Sequence, residues 1–345
     1  MTISTQIKPD QAVFAGIDYH KRFSIVTLGN KEGKMLSQER LENDEHQIRK
    51  FFLRHAPLTC AIENCRTNEW FVETVKKCGC DVKVSNTYRL RLIADSAKKN
   101  DKIDSKLLME LIARDYLPTC YQPTQQERLL RERLRWRVKL MKSRTKYKNM
   151  AHALMDKENK DNTVHSSKQR KNVASSKHLT EERQQRLEDN LEIIGFFDER
   201  LNKTDKELEN LAKDNQDVIR LKTIPGVGTL SAFMLFAELG DITRFKSARH
   251  VGSYFGLVPR LYASSDTHYL GHITKRGSGL VRRLLVQDAW QAIKVSKVFR
   301  HRYSSILKRR GKKVAIIAIA RRIAEIAYRI LRDKTEFDET KLTLG

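Results

Sequence analysis

Short apolar runs separated by polar turns fill the first third of the chain, and their period separates strands from helices. Runs at 13–17, 23–28 and 58–62, with a shorter one at 81–84, predict strands, and helical periods lie between and after them. The stretch from Asn30 to Gly33 predicts a hairpin turn between the second strand and Met35 to Leu41. Residues 12–120 therefore read as α/β. Leu107, Leu108, Leu111 and Ile112 mark the buried side of a helix that opens near Asp101.

The rest of the chain is helical in period. Gln125 to about Asp156 predicts one basic helix, followed by a polar linker near 159–177. The next helix carries Leu187, Leu191, Ile194, Leu201, Leu208 and Leu211, a heptad seam. Spacing alone fits that seam equally to the other helix of an intramolecular hairpin and to a second protomer. Val314 to Leu331 predicts a packed helix with basic flanks at 309–313 and at Arg321 and Arg322.

Two or three antiparallel strands followed by strand–helix alternation is the order of an RNase H-like, RuvC-type nuclease. In that order Asp18 closes the first strand and Glu63 the fourth, so the two acids come to adjacent strand ends. Asp101 and Asp104, three apart at a helix start, present carboxylates to one side. Taken singly, an acid after a strand is a turn residue or a helix cap. Taken together in a basic chain, the four suit a divalent cation, which takes carboxylates plus substrate phosphates; paired ions activate the attacking and leaving oxygens of a phosphodiester.

Charge narrows the partner. The formal net charge is +25 over 345 residues, and it is segregated: Thr124 to Lys177 holds 16 Lys/Arg against 5 Asp/Glu, and Arg260 to Lys334 holds 19 against 4. Two such runs favour phosphate binding over a merely solvated face. Five cysteines, Cys60, Cys65, Cys78, Cys80 and Cys120, lack the paired spacing of a zinc site and read as reduced and mostly buried. His268 and His272 have no third ligand and read as polar loop residues; Trp70, Trp136 and Trp290 read as core or interface residues. The longest apolar run, Val314 to Ala320, is too short to span a bilayer, and no secretory leader is evident, so a cytoplasmic protein without membrane contact is expected.

Several motifs in fixed order carry a resemblance. Phe14-Ala15-Gly16-Ile17-Asp18-Tyr19-His20-Lys21, then Glu63 before a small polar stretch, then residues 99–106 around Asp101 and Asp104, resemble the DEDD transposases of the insertion-sequence-110 family, which includes relatives of the Piv pilin-gene invertase. Ile224-Pro225-Gly226-Val227-Gly228, Phe255-Gly256-Leu257-Val258-Pro259, Gly271-His272-Ile273-Thr274-Lys275-Arg276-Gly277 and the stretch from Leu280 to Leu285 match in turn, so the resemblance spans roughly residues 12–290. It implies an α/β RNase H/RuvC-like domain at 1–123, a helical coiled-coil dimerisation region at 124–215 and a mainly α-helical transposase domain at 216–345.

The family places a serine followed by glycine between the last two glycine motifs. Ser264 is the matching residue here, with Ser265 where the glycine is usual. A hydroxyl there conserves phosphodiester energy through a covalent intermediate. Lys275, Arg276, Arg282 and Arg283 are then candidates to hold the phosphate. Gly226 and Gly228 resemble a helix-hairpin-helix turn whose amides approach a phosphate, or form a turn that packs the domain.

The resemblance implies a recombinase of a bacterial insertion element using Mg2+ (or Mn2+) at Asp18, Glu63, Asp101 and Asp104. Its partners would be double-stranded DNA at the element ends and target, a structured guide RNA, and further protomers in a homodimer or tetramer. A DNA invertase, a RuvC-like resolvase acting without a covalent intermediate, and a non-enzymatic basic scaffold are the alternatives.

Overall fold

The computed structural model describes residues 13–93, 100–157, 179–264 and 267–342. The linker expected near 159–177, Lys99, Ser265 and Asp266 lie outside the described residues. The chain forms two compact units, Met1–Gln122 and Pro123–Gly345.

The first unit is a five-stranded sheet with helices on both faces. Its strands are β1 (Phe14–Tyr19), β2 (Phe23–Gly29), β3 (Met35–Glu42), β4 (Thr59–Glu63) and β5 (Asp81–Ser85). Their order is β3-β2-β1-β4-β5, with β1, β2 and β3 antiparallel and β4 and β5 running parallel to β1. This mixed sheet is consistent with the RuvC-like expectation. The β2–β3 turn closes where expected: Asn30 Oδ1 accepts the Lys34 amide at 2.8 Å, and Gly33 adopts a φ of 73° that side chains disfavour.

Parity along β1 decides what each face meets, because successive side chains alternate. Ala15 and Ile17 enter a core with Phe52 of α1 (Glu45–His55) and Phe71 of α2 (Glu69–Lys77). Gly16 faces the other way, toward α4 (Asp101–Ala113); α3 (Thr87–Ile93) precedes it. On β4 the same alternation sends Cys60 and Ile62 to the first core and Ala61 to a second, with Leu90, Leu108 and Leu111.

The larger unit begins with α5 (Gln125–Asp156), opened by a reciprocal cap between Thr124 and Glu127, and α6 (Glu181–Lys213). The two helices run antiparallel, joined by Arg137–Asp205 at 2.9 Å and Arg144–Asp198 at 2.7 Å. Leu187, Ile194, Leu201 and Leu208 of the expected seam are buried within the chain, whereas Leu211 is exposed. Trp136, expected in a core or interface, is also exposed on this hairpin, as is Trp70 in the first unit.

Short helices α7 (Gln216–Lys222), α8 (Thr229–Leu239) and α9 (Ala248–Tyr254) follow, then a strand pair, β6 (Pro259–Ser264) and β7 (Thr267–Ile273). Two longer helices complete the unit, α10 (Gly279–Val295) and α11 (Lys297–Asp333), the latter breaking at Gly311. Phe233, Phe255, Leu285, Phe299, Ile319 and Ile323 share their core. The strand pair corrects the loop expected around His268 and His272, which both lie on β7. All five cysteines are free, with Cys60, Cys78 and Cys80 buried. No helix among the described residues is long and apolar enough to cross a membrane.

Candidate active site

The C-terminal end of β1 brings acids together by strand parity. Asp18 is two residues beyond Gly16 and therefore leaves the sheet toward α4, whose first turn carries Asp101 and Asp104. Asn100 caps that turn, its side chain accepting from the Lys102 amide. A polar cluster ties the turn to the sheet: Thr27 and Ser105 hydroxyls lie 2.8 Å apart, and Gln38 Nε2 donates to Thr27 Oγ1 and the Lys102 carbonyl, both at 2.8 Å.

Asp18, His20 and Asp101 each offer a ligand atom, all within 4.8 Å of one another. His20 Nε2 stands 3.2 Å from both Asp18 Oδ2 and Asp101 Oδ2. Burial raises the Asp18 carboxyl above its ordinary pKa; His20 opposes that shift, while Asp101 and Asp104 add to it. Crowded carboxylates of this kind are what a divalent cation relieves, and the mixed oxygen and nitrogen donors fit one.

Glu63 and Asp104 fall outside this 4.8 Å group. Glu63 nevertheless shares its face: Ile17 pairs with Ile62 in parallel register, and Glu63 follows Ala61 by two on the α4 side. Asn68 Nδ2 donates to the Glu63 carbonyl at 2.8 Å and holds the strand end. His20 stands in the motif at the end of β1 but had no role in the sequence reading; its place beside the acids comes from α4 folding over the strand end.

In the larger unit Ser264 ends β6 opposite Thr267, at the tip of the β6–β7 hairpin. The stacked rings of Tyr262 and Tyr269, 4.7 Å apart, brace that hairpin behind the tip. Lys275, Arg276 and Arg283 are exposed. Arg282 is engaged differently, its Nη1 donating to the carbonyls of Phe255 at 3.1 Å, Gly277 at 3.2 Å and Arg276. Burial lowers its pKa.

Gly226 turns between α7 and α8 with φ 86°, and a Cβ there would lie 2.5 Å from the Asp288 carbonyl and 2.6 Å from the Ala292 amide. Close approach of α10 therefore accounts for this glycine. Gly228, at the N-terminus of α8, faces open space.

Comparison with known proteins agrees with both halves of this arrangement. Residues 219–304 match the family described as "Transposase IS116/IS110/IS902 family", and residues 15–159 match a second transposase family, that of DEDD enzymes of IS110 elements. The chain is 28% identical over 337 residues to the transposase for insertion sequence element IS1328 of Yersinia enterocolitica, covering 94% of this chain and 98% of that one. Over 138 residues it is 35% identical to the transposase for IS1111A of Coxiella burnetii, covering 39% of this chain and 38% of that one. It is also 34% identical over 125 residues to the pilin gene-inverting protein of Moraxella bovis, covering 34% of this chain and 38% of that one. The protein belongs to the IS110 family of DEDD transposases and is a DNA recombination enzyme.

Proposed function

We propose that this transposase cuts and rejoins DNA at the ends of its insertion element through a serine–DNA intermediate formed by Ser264. Asp18, Glu63, Asp101 and Asp104 would hold Mg2+ or Mn2+, which supplies charge stabilisation at the scissile phosphate. The convergence of Asp18 and Asp101 with His20 within 4.8 Å carries this reading. Asp104 adds charge close enough to raise the Asp18 pKa, and Glu63 projects from the neighbouring strand end on the same face.

Each remaining part has one task. Lys275, Arg276 and Arg283 neutralise the phosphate, while Arg282 positions the loop that bears the first two. Gly228 offers an α8 N-terminal amide to a second phosphate, in the manner of a helix-hairpin-helix element. The α5–α6 hairpin acts as a coiled coil that associates protomers into a dimer or tetramer. A structured RNA pairing with donor and target DNA supplies sequence choice, a role that rests on the family resemblance. Inversion is a second outcome of the same chemistry, favoured by the match to the pilin gene-inverting protein.

A nicked suicide substrate tests the core of the proposal. The wild-type chain should yield a protein–DNA adduct that survives denaturation. Ser264→Ala should bind DNA and give none, and Asp18→Ala or chelation should abolish cleavage. Cleavage at the wild-type rate by Ser264→Ala overturns the nucleophile, and full activity in EDTA overturns the metal.

A further inference from the structure

One side chain in the acidic cluster is not an acid. His20 follows Asp18 by two residues and so leaves the end of β1 toward α4, placing Nε2 3.2 Å from one oxygen of Asp18 and 3.2 Å from one oxygen of Asp101. Its placement is built. The His20 amide donates to the Phe23 carbonyl at 2.9 Å, and Asn43 Nδ2 donates to the His20 carbonyl at 2.5 Å. Asn43 is fixed in turn by Ser24 Oγ, which donates to its Oδ1 at 2.7 Å. The imidazole lies against the Phe23 ring, centroids 4.7 Å apart and planes tilted by 30°. Held by main chain and ring face, the imidazole directs Nε2 between two carboxylates.

We propose that His20 Nε2 is a ligand of the divalent ion and turns the selectivity of the site from Mg2+ toward Mn2+; this rests on reading the acidic cluster as the metal site. Ligand atoms at neighbouring corners of an octahedron around such an ion are roughly 3 Å apart, close to the spacing of Nε2 from each oxygen. Mg2+ takes oxygen ligands and gains little from imidazole, whereas first-row transition ions accept it. The accompanying carboxylates keep the set hard. Among those ions they suit Mn2+, which also takes carboxylate oxygen. The four acids alone would make an all-oxygen set, to which His20 adds a nitrogen donor.

The full-length protein, titrated separately with Mn2+ and Mg2+, provides the test without any turnover. Wild-type protein should bind Mn2+ about ten-fold more tightly than Mg2+, and pulsed EPR of the bound Mn2+ should show an imidazole nitrogen coupling. His20→Gln should lose the coupling and most of the discrimination, and His20→Asp, an all-oxygen set, should likewise lose the coupling and narrow the Mn2+/Mg2+ ratio. The His20 side chain is 39% exposed, so neither change empties a core, and circular dichroism verifies the fold. Bound Mn2+ without nitrogen coupling, or an unchanged Mn2+/Mg2+ ratio in both variants, overturns the role of His20. In that event loss of Mn2+ binding in Asp18→Asn would leave the acidic site standing. Undiminished Mn2+ binding in Asp18→Asn would overturn the site and His20 together.

Discussion

Gly16 lies directly beneath the Ser105 carbonyl: a Cβ at position 16 would overlap that oxygen and the Met109 amide nitrogen. The contact is backbone to backbone, so no rotamer change relieves it. Gly16→Ala should lift the start of α4 from β1, lowering stability by about 3 kcal/mol or more and separating Asp101 from Asp18. Urea unfolding and Mn2+ titration of one preparation measure both effects; an alanine variant of wild-type stability would show that α4 does not seat on this glycine.

Asp288 should make the larger unit sensitive to pH. It is 6% exposed, burial raises its pKa to about 7, Ser231 donates to one oxygen at 2.7 Å, and the other has no hydrogen-bond partner among the described residues. The folded state keeps the proton while the unfolded chain loses it near pH 4, so stability should fall as pH rises from about 4 to about 7 and level off above. Asp288→Asn should remove that slope and stabilise by roughly 1–4 kcal/mol at pH 8. Urea melts at pH 5 and pH 8 give the comparison, and equal slopes in the two proteins would contradict it.

Neighbouring arginines should fail in different ways. Arg282→Ala leaves carbonyls of Phe255, Arg276 and Gly277 without their donor, so a loss of about 2 kcal/mol in stability is expected. Arg283 is exposed, and Arg283→Ala should spare stability while weakening DNA binding. Thermal melts and filter binding on the pair check the contrast.

The two basic stretches should make DNA affinity steeply dependent on salt. With six or more phosphate contacts, affinity should drop by about 10³-fold or more between about 50 and 200 mM salt. A nearly flat dependence, measured by fluorescence anisotropy, would assign the charge to solvated surface.

Strand ends were legible because period and parity are local. Asp18 and Glu63 follow from apolar runs alone, and α5 begins and ends at Gln125 and Asp156, where its basic stretch placed it. His20 was not legible as a site residue, because its significance arises only when Asp101 folds over β1. The β6–β7 hairpin was missed for a different reason. Leu261, Tyr262, Tyr269 and Leu270 are all exposed, so the ribbon lacks the alternation of buried and solvent-facing positions that marks a strand. Arg282 shows a third limit, since a positive charge in a basic run does not disclose whether it meets a phosphate or a backbone carbonyl.

The acids and the serine-bearing hairpin belong to different compact units, and that division bears on how an element behaves among its own copies. On the proposed roles, a copy that loses Asp18 loses the acidic site while the sequence of its larger unit, with both basic stretches, is unchanged. Such a chain would occupy element ends without opening them. As such copies accumulate in a genome, their products would compete with the intact ones for element ends, so decay of the element would slow its own spread.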